Sequence, residues 1–431
     1  MQESAMPEPL DVARLPLLSE FGFTGGRDSF RRFCRNVFQK AEPRFLRTER
    51  NSLVVFRHAD LQAFGTAKEI GNVPIGILYA GRLPEERIER GDLGTGVAKV
   101  IASQVFTFND PLHGPARRIL THWLGPRQVA LMEEPARALA REIASATVDG
   151  QVVDFVETVS ERLTVGFWAA LLDLTPAQRH AIGGCTREMT RLFRLERSPE
   201  DATILDAAFA EYAGILEEAA CRGLKAGNPM LQELAAKLDT LDFPDNPMET
   251  GIRPKSLGEM LAGNLVDGFH TAALASANAF FVLAQNPELL AEAKRNPALL
   301  ARAIAEALRM EPPVLMLQRF VLRDFPYAGS VIPAGSTVTM MWGAGNFDPA
   351  AFPAPERFDP SRLHAGLMTF GTGLHICPGR YVGVMLIRVM IEAFEASGVE
   401  FSPAEEAARW LPDHSLGQLE SLPMRMQRRA C

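Results

Sequence analysis

From Ser256 to Asn286 the chain keeps an apolar helical pattern for roughly 30 residues, about 45 Å of helix at 1.5 Å per residue. Ser256-Leu-Gly-Glu259 reads as a capping box at its start, and Asn286-Pro287 as its stop. Only a large domain has a core long enough to house such an element. The rest of the chain agrees: 431 residues, 47% hydrophobic and 23% charged, show no Gly/Ser linker, charge run, low-complexity tract or repeat at which to cut. The expectation is one domain over residues 1–431, mainly α with a small β region. At the helix centre Asp267-Gly-Phe-His-Thr271 breaks the apolar run, and Gly268, Ala272 and Ala273 would let another body approach closely.

A net charge of −7 argues against nucleic acid or an anionic membrane as main partner. The N-terminus has no basic segment followed by an apolar one, and the weakly polar run Thr271 to Ala284 is too short to span a bilayer. A monomeric, cytoplasmic-type protein with no membrane role is expected. Cysteines at 34, 185, 221, 377 and 431 are scattered and form no C-x-x-C pair, which excludes the usual zinc, iron-sulfur and dithiol patterns.

One cysteine has unusual neighbours. In Phe370-Gly-Thr-Gly-Leu-His-Ile-Cys-Pro-Gly-Arg380, glycines flank Cys377 on both sides and Pro378 fixes the turn, just before a long apolar helical pattern. An inert plug at a helix start and a reactive or metal-binding thiolate are equally compatible with this loop. The spacing Phe370-x-x-Gly373-x-His375-x-Cys377-x-Gly379 resembles the haem-binding loop of the cytochrome P450 superfamily at every defining position.

Further stretches resemble that family in the right order. Glu306-Ala-Leu-Arg309, on a helix begun by Asn296-Pro297, is similar to its E-x-x-R helix, and Arg357 in PAPERFDPSR sits where the locking arginine belongs. β-like runs PVLMLQRFVL and SVIPAGSTVTMMW separate these motifs, with Pro-Ala-Gly as turn. Asp110-Pro-Leu-His113 with Arg117 is similar to the D-P-x-H-x-x-x-R helix, and GQLESLPMRM to a C-terminal hairpin. The resemblance runs from about Asp110 onward and is loose over the first hundred residues.

The resemblance implies haem b with its iron on Cys377, propionates held by His113, Arg117, Arg319 and His375, and O2 as co-substrate. It implies an oxygen atom inserted into a C–H bond of a lipophilic molecule of terpenoid, steroid, fatty acid or polyketide type. No flavin or NAD motif occurs, so electrons would come from a ferredoxin or flavodoxin and its NAD(P)H reductase, for which Arg118, Arg127, Arg380 and Arg388 are candidate docking residues. A peroxide-driven or non-oxygenating enzyme and a haem sensor are the alternatives.

In the family the central helix reads Ala/Gly-Gly-x-Asp/Glu-Thr. Thr271 keeps the alcohol, but His270 replaces the acid. Two readings stand: His270 is structural and water supplies protons, or Asp267 and His270 form a relay. By alignment the substrate pocket would take Leu265 and Phe269, Val314, Leu315, Met316 and Leu317, Ser415 and Leu416, and part of the segment Gly71 to Gln104.

Overall fold

The computed structural model describes residues 8–39, 42–78, 95–362 and 365–429. The central helix runs Leu257–Ala284, 28 residues, and crosses the molecule as its axis. Ser256 Oγ accepts from Glu259 N at 3.0 Å, while the Glu259 carboxylate turns back to Lys255 N rather than to the cap residue itself. Helices Pro199–Lys225, Pro297–Met310 and Arg380–Ala396 pack along it. Their apolar stripes close one large core that includes Phe209, Phe280, Leu308 and Phe394.

The helix Pro297–Met310 starts as its sequence dictates: Asn296 Oδ1 accepts from Ala298 N and Leu299 N, and Pro297 occupies the first turn, where no donor is needed. It ends at Glu311, whose carboxylate is buried at 3% exposure. Arg27 and Arg31, from the helix Gly26–Val37, converge on Glu311 and tie the loosely recognisable N-terminal region to the main body.

The β region is a five-stranded sheet in the order Leu46–Arg47, Leu53–Val55, Thr337–Met340, Leu317–Val321, Ile70–Gly71, with only the second and third strands parallel. The first β-like run forms Leu317–Val321 and the second forms Ser330–Ile332 and Thr337–Met340, with Pro333-Ala-Gly335 turning between the latter two and Gly335 at φ +87°. GQLESLPMRM departs from the expected hairpin. Its first strand, Leu419–Ser421, pairs with Arg409–Trp410, whereas Pro423–Arg428 lies between Val152–Asp154 and Val399–Pro403. The proline at 423 has no donor to continue the first ladder, so the chain changes sheet there.

Candidate active site

The cysteine loop leaves the sheet region and rests on the helix His58–Thr66. Gly373 sits at φ +68°, and a Cβ there would lie 1.9 Å from the Gly65 carbonyl oxygen, so only glycine permits the contact. Cys377 N donates to Phe370 O at 2.8 Å, which closes the loop around the sulfur. Arg117 binds the Ile376 carbonyl and Arg380 the Cys377 carbonyl, placing two cations beside the thiol. Burial pushes the Cys377 thiol up, opposed by the Gly379 N–H and by both arginines.

His113 and Arg117 lie one turn apart on the helix His113–Trp123 and meet His375 of the loop and Arg319 of the strand Leu317–Val321. The His113 and His375 rings are 4.3 Å apart. Burial and the neighbouring cations push His113 down to about 4 and hold His375 far below the usual histidine range. Arg319 falls to about 10, by burial and then by Arg117. Four basic groups crowd together, with Asp110 near His113 as the opposing charge. Such a cluster fits a bound dianion, and a haem's two propionates are that. The loop's bare glycines and the buried sulfur beside it fit the remainder of the group.

The Glu306–Arg309 pair is fully buried and bidentate, at 2.8 and 2.9 Å. Arg309 also donates to the carbonyls of Asn346 and Pro355, each at 2.8 Å. The expected third member, Arg357, is corrected: its side chain is 74% exposed, and only its carbonyl joins the network. Arg362 takes the place, with its Nε 3.1 Å from Glu306 and its own burial nearly complete. Asp359 N donates to Glu306 Oε1 at 3.0 Å and a turn closes from Arg362 N to Asp359 O, so the later arginine in the segment points inward. The network reaches the cysteine loop through residues that belong to none of the motifs. Asn346 Oδ1 accepts from Met368 N, its Nδ2 donates to Thr369 Oγ1, and Thr369 Oγ1 donates to Leu308 O. A buried asparagine has no sequence signature of its own, and only the fold brings it here.

On the central helix, 100° per residue sets Asp267 and Thr271 about 40° apart on one face. Thr271 Oγ1 donates to the Asp267 carbonyl. The Asp267 carboxyl acts electrostatically on Cys377, so the two share the interior space between helix and loop. Burial raises Asp267 to about 6.

The relay between Asp267 and His270 is not formed. The His270 ring stacks on Phe193 at 6.0 Å and 16°, and feels Gln418 and His414 but not Asp267. Burial lowers it to about 4, so the imidazole is neutral. Gln418 lies beside it, yet His270 Nε2 and Gln418 Oε1 both stay unpaired. They line a cavity of about 340 Å³ behind the helix, with Phe269 and Ala273 beside them and exposed Glu157, Arg187 and Glu420 at its mouth.

Other expectations are also revised. Phe269 turns roughly 160° from Thr271 and packs on Trp168 and Tyr212, and Leu265 is buried in the same core, about 120° from Thr271. Neither borders the Thr271 face. Gly268 is small for the sake of Trp168, whose Nε1 donates to its carbonyl at 3.2 Å, and Ala273 lies on the rear cavity. Leu315 is core in the smaller cluster, with Met316 against it. Val314 bridges to Leu416, while Leu317 and Ser415 are half-buried, Ser415 Oγ donating to Phe193 O. Residues 79–94 of the segment from Gly71 to Gln104 lie outside the described residues. Arg388 is committed to Glu133 and Glu392 and is not a free docking cation.

A long helix laid across a basic, glycine-lined cysteine loop is the arrangement of a haem-thiolate oxygenase. The cytochrome P450 family model matches residues 245–395. 6-Deoxyerythronolide B hydroxylase of Saccharopolyspora erythraea is 27% identical over 77% of this chain and 80% of its own length. Cytochrome P450 monooxygenase PikC of Streptomyces venezuelae is 29% identical over 74% of each. Among solved structures, CalO2 superimposes with a TM-score of 0.76 at 23% identity, covering 93% of this chain and 95% of its own. The chain belongs to the cytochrome P450 superfamily and is an oxidoreductase of the monooxygenase class, which brings a haem with cysteine-thiolate ligation. Among the described residues no helix is long and apolar enough to cross a membrane.

Proposed function

We propose that this enzyme takes electrons from an external ferredoxin or flavodoxin with its NAD(P)H reductase and inserts one oxygen atom from O2 into a C–H bond of a lipophilic small molecule. The observation that carries the reading is the convergence of Cys377, the basic cluster of His113, Arg117, Arg319 and His375, and Thr271 on one interior space. When bound, the haem supplies oxygen activation, favoured by electron density from the anionic sulfur. Cys377 is the thiolate ligand, since coordination removes the thiol proton that burial otherwise retains. His113, Arg117, Arg319 and His375 hold the propionates, and Glu306, Arg309 and Arg362 fix the loop that carries the sulfur.

Proton supply falls to Thr271 and water. The Thr271 hydroxyl is oriented by its bond to the Asp267 carbonyl, so its oxygen lone pairs are left to accept from water in the site. His270 is neutral and faces the rear cavity, whose 340 Å³ has room for on the order of ten waters. It is a structural substitution. Thr271→Ala is expected to lower product formed per NAD(P)H by at least about tenfold, with peroxide rising in proportion. His270→Phe should leave that ratio within about twofold. A ratio unmoved by Thr271→Ala, or one that collapses with His270→Phe, would refute this assignment.

Electron entry is expected on the face of the cysteine loop. Leu374 and Tyr381 are exposed there, Arg380 stacks over Tyr381 at 4.3 Å, and Arg118 is exposed one residue beyond Arg117. The similar proteins whose names state a substrate, 6-deoxyerythronolide B hydroxylase and linalool 8-monooxygenase, support a lipophilic one here.

A further inference from the structure

Asp267 differs from the other carboxylates that this fold encloses. Asp60, Asp201, Glu306 and Glu311 each meet at least one arginine, Arg44, Arg191, Arg309 and Arg27 respectively, and Asp348 accepts from the main-chain N–H groups of His58 and Ala350. The Asp267 carboxyl has no ion pair or hydrogen bond among the described residues. Its surface is open to the interior space, although protein surrounds it, and it lies on the Thr271 face at a position the family pattern keeps small. The nearest alcohol, Thr271, is turned to the Asp267 main-chain carbonyl and offers its proton elsewhere.

Once a ligand fills the interior space and displaces its water, a carboxylate with no partner is destabilised, a cost the five buried carboxylates avoid through arginine or main-chain N–H groups. The site is therefore built for a partner that arrives with the ligand. A neutral lipophile leaves the carboxylate unpaired, an anionic one is repelled, and a cation restores the balance found at the four arginine-paired sites.

We propose that Asp267 is the specificity-determining anchor for a cationic group of the substrate, and that the substrate class is a lipophilic molecule bearing an amine protonated at neutral pH. This rests on the haem-thiolate monooxygenase reading and deepens it. Asp267 stands one helical turn, about 5–6 Å, from Thr271, so the oxidised carbon lies within a few bonds of the cationic nitrogen.

The test uses two probes of one shape, trimethyl(1-adamantyl)ammonium and 1-tert-butyladamantane. The first carries a charge but no lone pair with which to bind iron. Equilibrium titration of the holoenzyme, followed by the Soret shift and by calorimetry, should show the cation bound at least about tenfold tighter than the hydrocarbon. In Asp267→Asn the cation should weaken by about 30-fold and the hydrocarbon by less than about threefold. Equal affinities in the wild type, no binding of the cation, or a cation preference that survives in Asp267→Asn would each overturn the proposal. The reduced carbon monoxide spectrum of both proteins is recorded alongside. Loss of the thiolate-type band in the wild type would be a failure of the haem reading, whereas a normal band with no charge preference is a failure of the anchor alone.

Discussion

Cys377→Ala is expected to abolish monooxygenase turnover and the long-wavelength Soret band of the reduced carbon monoxide complex together. The sulfur is the only soft ligand the loop presents to the interior. Cys34 and Cys185 are buried elsewhere in the core, and Cys221 is exposed on the helix Pro199–Lys225. Alanine fits the space, because the loop is held by Cys377 N to Phe370 O and by Gly373 against Gly65, neither of which uses the sulfur. Folding should therefore survive, and the His113, Arg117, Arg319 and His375 cluster should still hold some haem. Absorption spectroscopy of the purified variant separates the outcomes: haem present with the thiolate band gone is the expected result, and an unchanged band would mean that another residue is the ligand.

The second large effect is structural. Glu306→Ala leaves Arg309, at 0% exposure, and the nearly buried Arg362 facing no charge. Breaking one side of such a pair costs about 3–5 kcal/mol, comparable with the whole stability of many domains. The damage is directed, since Arg309 holds the Asn346 carbonyl and Asn346 holds the start of the cysteine loop. Little soluble, haem-loaded protein should be recovered. Arg362→Ala should share the defect in milder form, whereas Arg357→Ala, at an exposed side chain 3.7 Å from Asp359, should change thermal stability by less than about 1 kcal/mol. Haem content and melting temperature of the three variants check the order; equal losses in Arg357→Ala and Arg362→Ala would contradict it.

These residues mark how far the sequence could be read. The cysteine loop, the Glu306 helix and the central helix announce themselves because their signals are local: glycine at fixed offsets, an Asn-Pro cap, an apolar period over many turns. The four basic residues of the anion cluster were found by family spacing, and the fold does bring them together. What failed depends on direction rather than position. Arg357 and Arg362 are both arginines of one irregular segment, and which of them turns inward is set by a turn that no periodicity describes. Phe269 was placed by family alignment and His270 by its position in the family's acid-alcohol pair, but a helix rotates by about 100° per residue, so neither shares the face of Thr271 here. Asn346 and Thr369, which link the buried ion pair to the loop, make contacts across long sequence separations and left no trace in the local pattern.

The central claim is that one atom of O2 enters the substrate at the expense of electrons delivered from outside. It is tested most directly by isotope. A lipophile that produces a Soret shift is turned over under ¹⁸O2 with NAD(P)H, a surrogate ferredoxin and its reductase, and the product is weighed by mass spectrometry. The account predicts a single ¹⁸O in the product and none when the label is in water, with no turnover when the ferredoxin is omitted. Product formed without O2, or carrying its new oxygen from water, would contradict it.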